Sequence, residues 1–139
     1  GYAWSKDGMN WKKYEGNPIF SSDVNIDWER NKTAACHVLK WDGWYYMFYI
    51  GFIHVDRAAI GLARSKDGIT GWERYSQNLI IAPDKGKFDE KAVYKPYVMK
   101  NDTGWIMWYN GAMYIPDSEE IVREQIGVAY LKRENLWNE

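Results

Sequence analysis

Residues 61–68 read Gly-Leu-Ala-Arg-Ser-Lys-Asp-Gly, and residues 1–8 read Gly-Tyr-Ala-Trp-Ser-Lys-Asp-Gly. The two runs stand 60 positions apart, and a Trp follows each of them. The run Met-Phe-Tyr-Ile-Gly at 47–51 returns at the same spacing as Met-Trp-Tyr-Asn-Gly at 107–111. Self-similarity at a fixed period is typical of a chain that is built from repeated supersecondary units.

Each repeat predicts four short antiparallel strands. Turn signals such as Asp42-Gly43 and the Ser-Lys-Asp-Gly runs separate stretches that are rich in aromatic residues. The expected strands lie near 33–40 and 92–100 (first), 44–52 and 105–113 (second), 1–5, 58–65 and 124–131 (third), and 11–14 and 72–76 (fourth). Sustained helical periodicity is absent, although residues 117–124 are compatible with one or two helical turns.

The repeating four-stranded unit predicts an all-β fold, a partial β-propeller made of antiparallel blades. The alternative is a sandwich or barrel with duplicated halves. We expect one domain over 1–139, with strands three and four of one blade, a full blade near 33–76 and three strands of another near 92–131. Propellers need about four to eight blades to close. We therefore expect a homodimer in which two copies close a ring of about five blades, the alternatives being a fragment of a longer chain and an independent half-propeller.

The composition excludes several classes of function. Lys plus Arg is 18 and Asp plus Glu is 19, so the net charge of -1 predicts neither nucleic acid nor a membrane surface as a partner. One Cys, Cys36, excludes an internal disulfide, and the two His have no ligand spacing, so we expect no metal and no cofactor. The sequence has no signal peptide, which slightly favours the cytoplasm, although a signal removed earlier would leave the compartment open.

The run Trp-Tyr-Tyr-Met-Phe-Tyr at 44–49, together with 60–68, resembles the five-bladed β-propeller glycosidases of glycoside hydrolase families 43, 32 and 130. The run Phe-Asp-Glu-Lys-Ala-Val-Tyr-Lys-Pro at 88–96 extends the resemblance over nearly the whole chain. The resemblance implies two to two-and-a-half blades of that propeller, hydrolysing or binding a carbohydrate in a central funnel. Families 43 and 32 often carry an Asp before the Pro of an inner strand, whereas here Lys95 precedes Pro96.

The resemblance also implies carboxylates near the innermost strands, one of which keeps its proton while another stays ionised. The expected catalytic acids are Asp27, Asp89 and Glu90, in the loops before the two inner strands. The residues expected to position a sugar are His37, Lys95 and Asn110, with Trp28 and Trp41 stacking on its ring. For the loop acids the alternative interpretation is a solvated turn. The alternative function is a non-catalytic carbohydrate-binding or assembly module, and a third is a purely structural oligomer.

Overall fold

A computed structural model describes residues 1–115 and 123–137. These two ranges contain nine strands and no helix. The strands are β1 (Ala3–Trp4), β2 (Lys12–Lys13), β3 (Lys32–Trp41), β4 (Trp44–His54), β5 (Arg57–Ser65), β6 (Glu73–Arg74), β7 (Ala92–Asn101), β8 (Gly104–Met113) and β9 (Arg123–Leu131). They confirm the strands expected from the repeat to within two residues at each end. The helical turns considered for 117–124 fall mostly outside the described residues, and positions 123–124 begin β9.

The strands form three separate antiparallel sheets. Sheet A pairs β1 with β2, sheet B has the order β3-β4-β5-β6, and sheet C has the order β7-β8-β9. Strands that follow one another in the chain are therefore neighbours in the sheet, joined by hairpins such as Asp42-Gly43, where both residues have positive φ. The predicted all-β class is confirmed. Nowhere in the described residues is there a helix of the length and apolarity that crossing a membrane requires.

Sheet B is the centre of the molecule and is covered on both faces. Its strand β4 is at most 5% exposed from Tyr46 to Ile50, so side chains pointing to either face are buried. Phe48 belongs to a core cluster that includes Val93 and Val98 of sheet C, whereas Met47 packs on the other face against Phe20, which follows sheet A. The sheets thus stack face to face like the blades of a propeller.

The two Ser-Lys-Asp-Gly runs form the same hydrogen-bonded turn. Asp67 Oδ1 accepts the N–H groups of Ile69 at 2.8 Å and Thr70 at 2.7 Å, and Asp7 Oδ1 accepts two N–H groups, both at 2.8 Å. In both turns the Gly N–H donates to the Ser hydroxyl. The side chain and backbone bonds to Thr70 hold the pKa of Asp67 well below its ordinary value, and the bonds to Asn10 do the same for the pKa of Asp7.

We expect these turns to make folding stability fall in acid. A carboxyl whose pKa is lowered by folding stabilises the folded state above its unfolded pKa, near 3.8 for Asp, and that contribution is lost as the pH falls toward the folded value. Thermal melts of the wild-type chain and of Asp67→Asn between neutral pH and pH values below 3.8 measure the effect. The variant should show a smaller loss of melting temperature in acid, and parallel curves would contradict this assignment.

Candidate functional site

The first strands of sheets B and C, β3 and β7, lie in contact and carry matching bulges. The pairing register shifts between Ala34 and Cys36 in β3, and between Tyr94 and Tyr97 in β7. At these bulges Ala35 has a φ of 20° and Lys95 a φ of 52°. Positive φ is uncommon for residues other than glycine, and such strain and such bulges concentrate at functional sites because they redirect a side chain. The bulges therefore indicate that β3 and β7, the inner strands of sheets B and C, carry a candidate functional site.

Two predicted residues lie on these inner strands. The Lys95 side chain is exposed, and its Nζ stands 5.6 Å from the ring centroid of Tyr94. His37 links the strands, because its Nδ1 accepts the N–H of Val98 at 3.0 Å and its ring stacks on Tyr97 at a centroid distance of 4.7 Å. Burial lowers the pKa of His37. A neutral ring is also what the accepted bond requires, because Nδ1 must carry no proton.

A tyrosine and a glutamate meet on sheet C beside Lys95. Tyr94 and Glu124 line the same shallow cleft, and burial together with the nearby Glu124 carboxylate raises the pKa of Tyr94. Tyr94 therefore stays protonated at neutral pH. Asn110 stands opposite Tyr94 on one side and Ile126 on the other, and is half-buried, whereas Glu124 stands opposite Ala112.

The loops before β3 and β7 repeat one structural device. The Trp28 ring covers Gly51 and Gly61 so closely that a Cβ atom at these positions would stand 2.2 Å and 2.3 Å from its carbon atoms. The Phe88 ring covers Gly111 and Gly127 in the same way, at 2.4 Å and 2.5 Å. In sheet B the two glycines lie on β4 and β5, and in sheet C on β8 and β9. Each of these sheets therefore packs one aromatic ring against a pair of glycines on its second and third strands. The position of Trp28 is explained by this packing.

Next to each ring stands a buried carboxylate. Glu29, fully buried, accepts the Tyr49 hydroxyl at 2.6 Å, the Arg74 Nε–H at 2.8 Å and the Asp23 N–H at 3.0 Å. Arg74 also donates to the carbonyl of Ser21 at 2.6 Å. Burial and the bond to Glu29 raise the pKa of Tyr49. Glu29 is thus a satisfied internal charge that ties the loop to the outermost strand of sheet B.

Asp89 is the counterpart of Glu29 in sheet C, and its surroundings differ. It is 4% exposed, and its Oδ2 accepts the Tyr109 hydroxyl at 3.1 Å. Burial and this bond raise the pKa of Tyr109 to about 12. The other oxygen, Oδ1, is buried without a hydrogen-bond partner in the described part of the chain. Asp89 therefore has the tyrosine partner that Glu29 has, but no arginine beside it among the described residues. Its carboxylate is enclosed in the blade and is not open to solvent.

Glu90 and Trp28, two more predicted residues, line one cleft of about 600 Å³. Its other charged lining residues are Arg57, Lys85 and Lys91. The Glu90 carboxylate accepts the N–H of Gly86 at 3.0 Å. A cleft of this size is within the usual range for small-ligand sites. Lys91 is paired with Asp56, whose Oδ2 stands 3.4 Å from its Nζ. One carboxylate beside Arg57, Lys85 and an aromatic ring suits a polar or anionic ligand.

The remaining predicted residues lie elsewhere. The Asp27 side chain is 88% exposed and its Oδ1 stands 3.7 Å from Arg30, while the Trp41 ring packs edge-on against Trp105 at a centroid distance of 5.5 Å. The structure therefore distributes the predicted residues over the inner strands, the cleft and the blade interior. Sequence reasoning missed the tyrosine and arginine partners of the loop acids. The signal for the tyrosines was available, since Tyr49 and Tyr109 occupy the same position of the repeat.

In the described ranges, His, Cys, Asp and Glu residues form no cluster of three or more that could hold a metal ion.

Comparisons with known proteins find that the chain is similar to parts of carbohydrate-active enzymes. No family model matches it. A 1,2-beta-oligomannan phosphorylase from Thermoanaerobacter sp. (strain X514) is 32% identical over 154 residues, an alignment that covers 99% of this chain and 50% of the relative. The chain thus spans about half the length of that relative.

Solved structures give the same result. A glycoside hydrolase matches with a TM-score of 0.66 and 25% identity, over 99% of this chain and 38% of the hydrolase. A BT0996 RGII complex matches with a TM-score of 0.66 and 26% identity, over 98% of this chain and 37% of its counterpart. Zg3597, a family 117 glycoside hydrolase produced by the marine bacterium Zobellia galactanivorans, shows the shared fold at a TM-score of 0.61 and 19% identity, over 91% and 37%.

These matches confirm both the partial propeller and the resemblance on which it was predicted. Each relative or solved structure extends well beyond the part that this chain covers. The similarity to the solved structures extends over the stacked antiparallel sheets of this chain. The chain is therefore similar, over nearly its whole length, to part of the β-propeller glycoside hydrolases.

Proposed function

We propose that this chain, joined by a second copy, forms a β-propeller that binds an oligosaccharide in a central funnel and cleaves it. The observation that carries the proposal is Lys95, an exposed lysine that the inner-strand bulge holds at a φ of 52°. Backbone strain of this kind costs about 1–3 kcal/mol and persists where the surrounding structure enforces it. The Lys95 ammonium beside the Tyr94 ring offers donors to sugar hydroxyl groups, and the Glu124 carboxylate, which lines the same cleft as Tyr94, offers an acceptor.

The second copy is part of the proposal because a funnel needs a ring of blades. The described strands make one four-stranded sheet and two smaller ones, whereas propellers close with about four to eight blades. The oligomannan phosphorylase is about twice as long as this chain, since the alignment covers 99% of the chain and 50% of the relative. Two copies would supply a comparable number of blades.

Among the three acids expected to be catalytic, Glu90 is the best placed for chemistry. It lines the cleft, whereas Asp89 is 4% exposed and the Asp27 side chain is 88% exposed on the surface. We assign Glu90 to protonation of the leaving group or activation of the attacking nucleophile. Two cations of the cleft, Arg57 and Lys85, suit an anionic co-substrate such as inorganic phosphate, whereas Lys91 is already paired with Asp56.

Binding of β-1,2-linked mannooligosaccharides, the class that the name of the relative suggests, tests the proposal. Calorimetry should detect binding to the wild-type chain, and Lys95→Ala should weaken it about tenfold because a charged hydrogen bond is lost. The matched control is Lys6→Ala, which removes an exposed lysine from a surface turn. Equal affinities for the two variants, or no binding of any oligosaccharide in a wider panel, would contradict the proposal.

The second candidate function is a non-catalytic carbohydrate-binding or assembly module. The burial of Asp89 favours it, because a carboxylate closed off from solvent has no access to a glycosidic bond. Release of labelled sugar from the bound oligosaccharide, measured with and without phosphate, distinguishes the two functions. Turnover that Glu90→Gln abolishes supports the enzyme, whereas binding without turnover supports the module.

A further inference from the structure

Two clefts of different size adjoin each other where sheets B and C meet. The large cleft, of about 600 Å³, is the one that Glu90 and Trp28 line, and the small cleft measures about 250 Å³. The linings of the two clefts share Ala58 and Lys91. Sites for drug-sized ligands usually measure about 300–1,000 Å³. The small cleft therefore suits a single ring, and the large cleft can hold what is attached to that ring.

Three buried alanines, Ala58, Ala92 and Ala112, line the small cleft, and each of them is at most 4% exposed. Ala92 is paired with Ala112 in sheet C. The equivalent positions of sheet B, 60 residues earlier, hold Lys32 and Phe52. These two residues are also paired, and their side chains are in contact, with 4.3 Å between the lysine Nζ and the ring centroid. Sheet C thus has two methyl groups where sheet B has two large side chains, so the space is specific to sheet C.

Polar side chains from both sheets surround these alanines. Asp56, in the turn between β4 and β5, and Glu124, opposite Ala112 in β9, supply carboxylate oxygens that accept hydrogen bonds. The Lys91 ammonium is a donor, held 3.4 Å from the Asp56 Oδ2, and its side chain is 15% exposed. Tyr94 supplies a hydroxyl group, and because burial raises its pKa from the ordinary value, that hydroxyl keeps its proton and is a second donor.

This combination of groups is complementary to a sugar unit. A pyranose ring presents C–H groups on its faces, which suit the alanines and the Phe52 ring, and hydroxyl groups around its edge, which both donate and accept hydrogen bonds. The charges of the small cleft nearly cancel, because Lys91 is ion-paired and Glu124 is the one further charge among the described lining residues. That carboxylate disfavours a phosphate or an acidic sugar. The large cleft, with Arg57 and Lys85, has an excess of positive charge and suits an anion.

We propose that the small cleft holds one neutral sugar unit of the bound oligosaccharide and that the next unit continues across Lys91 into the large cleft. The inference rests on the proposed function and assigns the side chains that recognise this unit, namely Glu124, Tyr94 and the Asp56–Lys91 pair. The linkage between the two units then lies at the junction of the clefts and enters the cleft that Glu90 lines. The smallest ligand that fills both clefts is a disaccharide.

Calorimetry with mannose and with β-1,2-linked mannobiose, the sugar class that the name of the relative suggests, tests this arrangement. The wild-type chain should bind the disaccharide at least about tenfold more tightly than the monosaccharide, because the second unit fills the neighbouring cleft. Glu124→Gln should weaken disaccharide binding about tenfold, since a charged acceptor becomes a neutral one, and Tyr94→Phe about threefold, since a neutral donor is lost. Glu73→Gln is the matched control, because it makes the same change on β6, outside both clefts.

A further variant gives sheet C the side chain of sheet B. Ala112→Phe should fill the small cleft, so that mannobiose binds no more tightly than mannose, and circular dichroism checks that the chain is folded. Glu124→Gln changes an exposed side chain and decides the question if Ala112→Phe does not fold.

Two results would overturn the arrangement while leaving oligosaccharide binding in place. One is an equal disaccharide affinity of Glu124→Gln and Glu73→Gln, and the other is a wild-type chain that binds mannobiose no more tightly than mannose. A wild-type chain that binds no oligosaccharide of a wider panel would contradict the proposed function and this inference together.

Discussion

Glu29→Gln is expected to lower the free energy of unfolding by about 3–5 kcal/mol, the usual cost of removing one partner from a buried ion pair. Glu29 is fully buried and accepts hydrogen bonds from Tyr49, Arg74 and Asp23. Glutamine has nearly the same shape, but its amide group has one acceptor oxygen instead of two and carries no charge. The guanidinium of Arg74 would therefore lose its counterion. Urea denaturation followed by tryptophan fluorescence measures the loss.

Glu73→Gln is the matched control for this substitution. Glu73 also pairs with an arginine, with 2.9 Å between its Oε2 and the Nε of Arg64, but its side chain is 56% exposed. Solvent screens such a pair, so we expect a loss below about 1 kcal/mol. Equal losses for the two variants would show that Glu29 contributes no more than a surface charge, contrary to its position in the structure.

Gly61→Ala is expected to destabilise the fold by about 3 kcal/mol, at the upper end of the range for overpacking a core. An added Cβ would stand 2.3 Å from Cη2 and 2.8 Å from Cζ2 of Trp28. Atoms cannot approach so closely, and Tyr49, whose ring centroid is 5.5 Å from that of Trp28, also crowds the new atom, with its Cζ 3.1 Å away. The Trp28 ring must therefore move away from Gly51 and Gly61. Thermal or urea unfolding measures the effect.

The same substitution in the Trp28→Leu background isolates the cause. A smaller side chain at this position leaves room for the new methyl group, so Gly61→Ala should cost much less there than in the wild-type chain. A cost that is the same in both backgrounds would show that the glycine is needed for its backbone and not for its contact with Trp28.

The sequence predicted the strands well because their signals are local and occur twice. A turn such as 65–68 is specified by its own residues, since the Ser hydroxyl, the Asp carboxylate and the Gly with positive φ act within a few positions of one another. The repeat then shows which stretches are equivalent. Together these signals were sufficient for the fold class and for the order of the strands.

The candidate site was harder to predict because its environment comes from distant strands. Whether Asp89 faces solvent or the blade interior is decided by Tyr109 and Gly111, which lie about 20 positions further on, in β8. Glu29 is buried because Arg74, 45 positions further on, neutralises it. Asp27 stands only two residues before Glu29 and is solvated. Composition and spacing do not distinguish these two acids.

The molar mass of the wild-type chain in solution, measured by light scattering, tests most directly the claim that one copy is an incomplete ring. Two copies that close a propeller should give a particle of about twice 16.4 kDa. A monodisperse particle of 16.4 kDa that unfolds cooperatively would contradict the claim, because a single copy would then be stable without a neighbour.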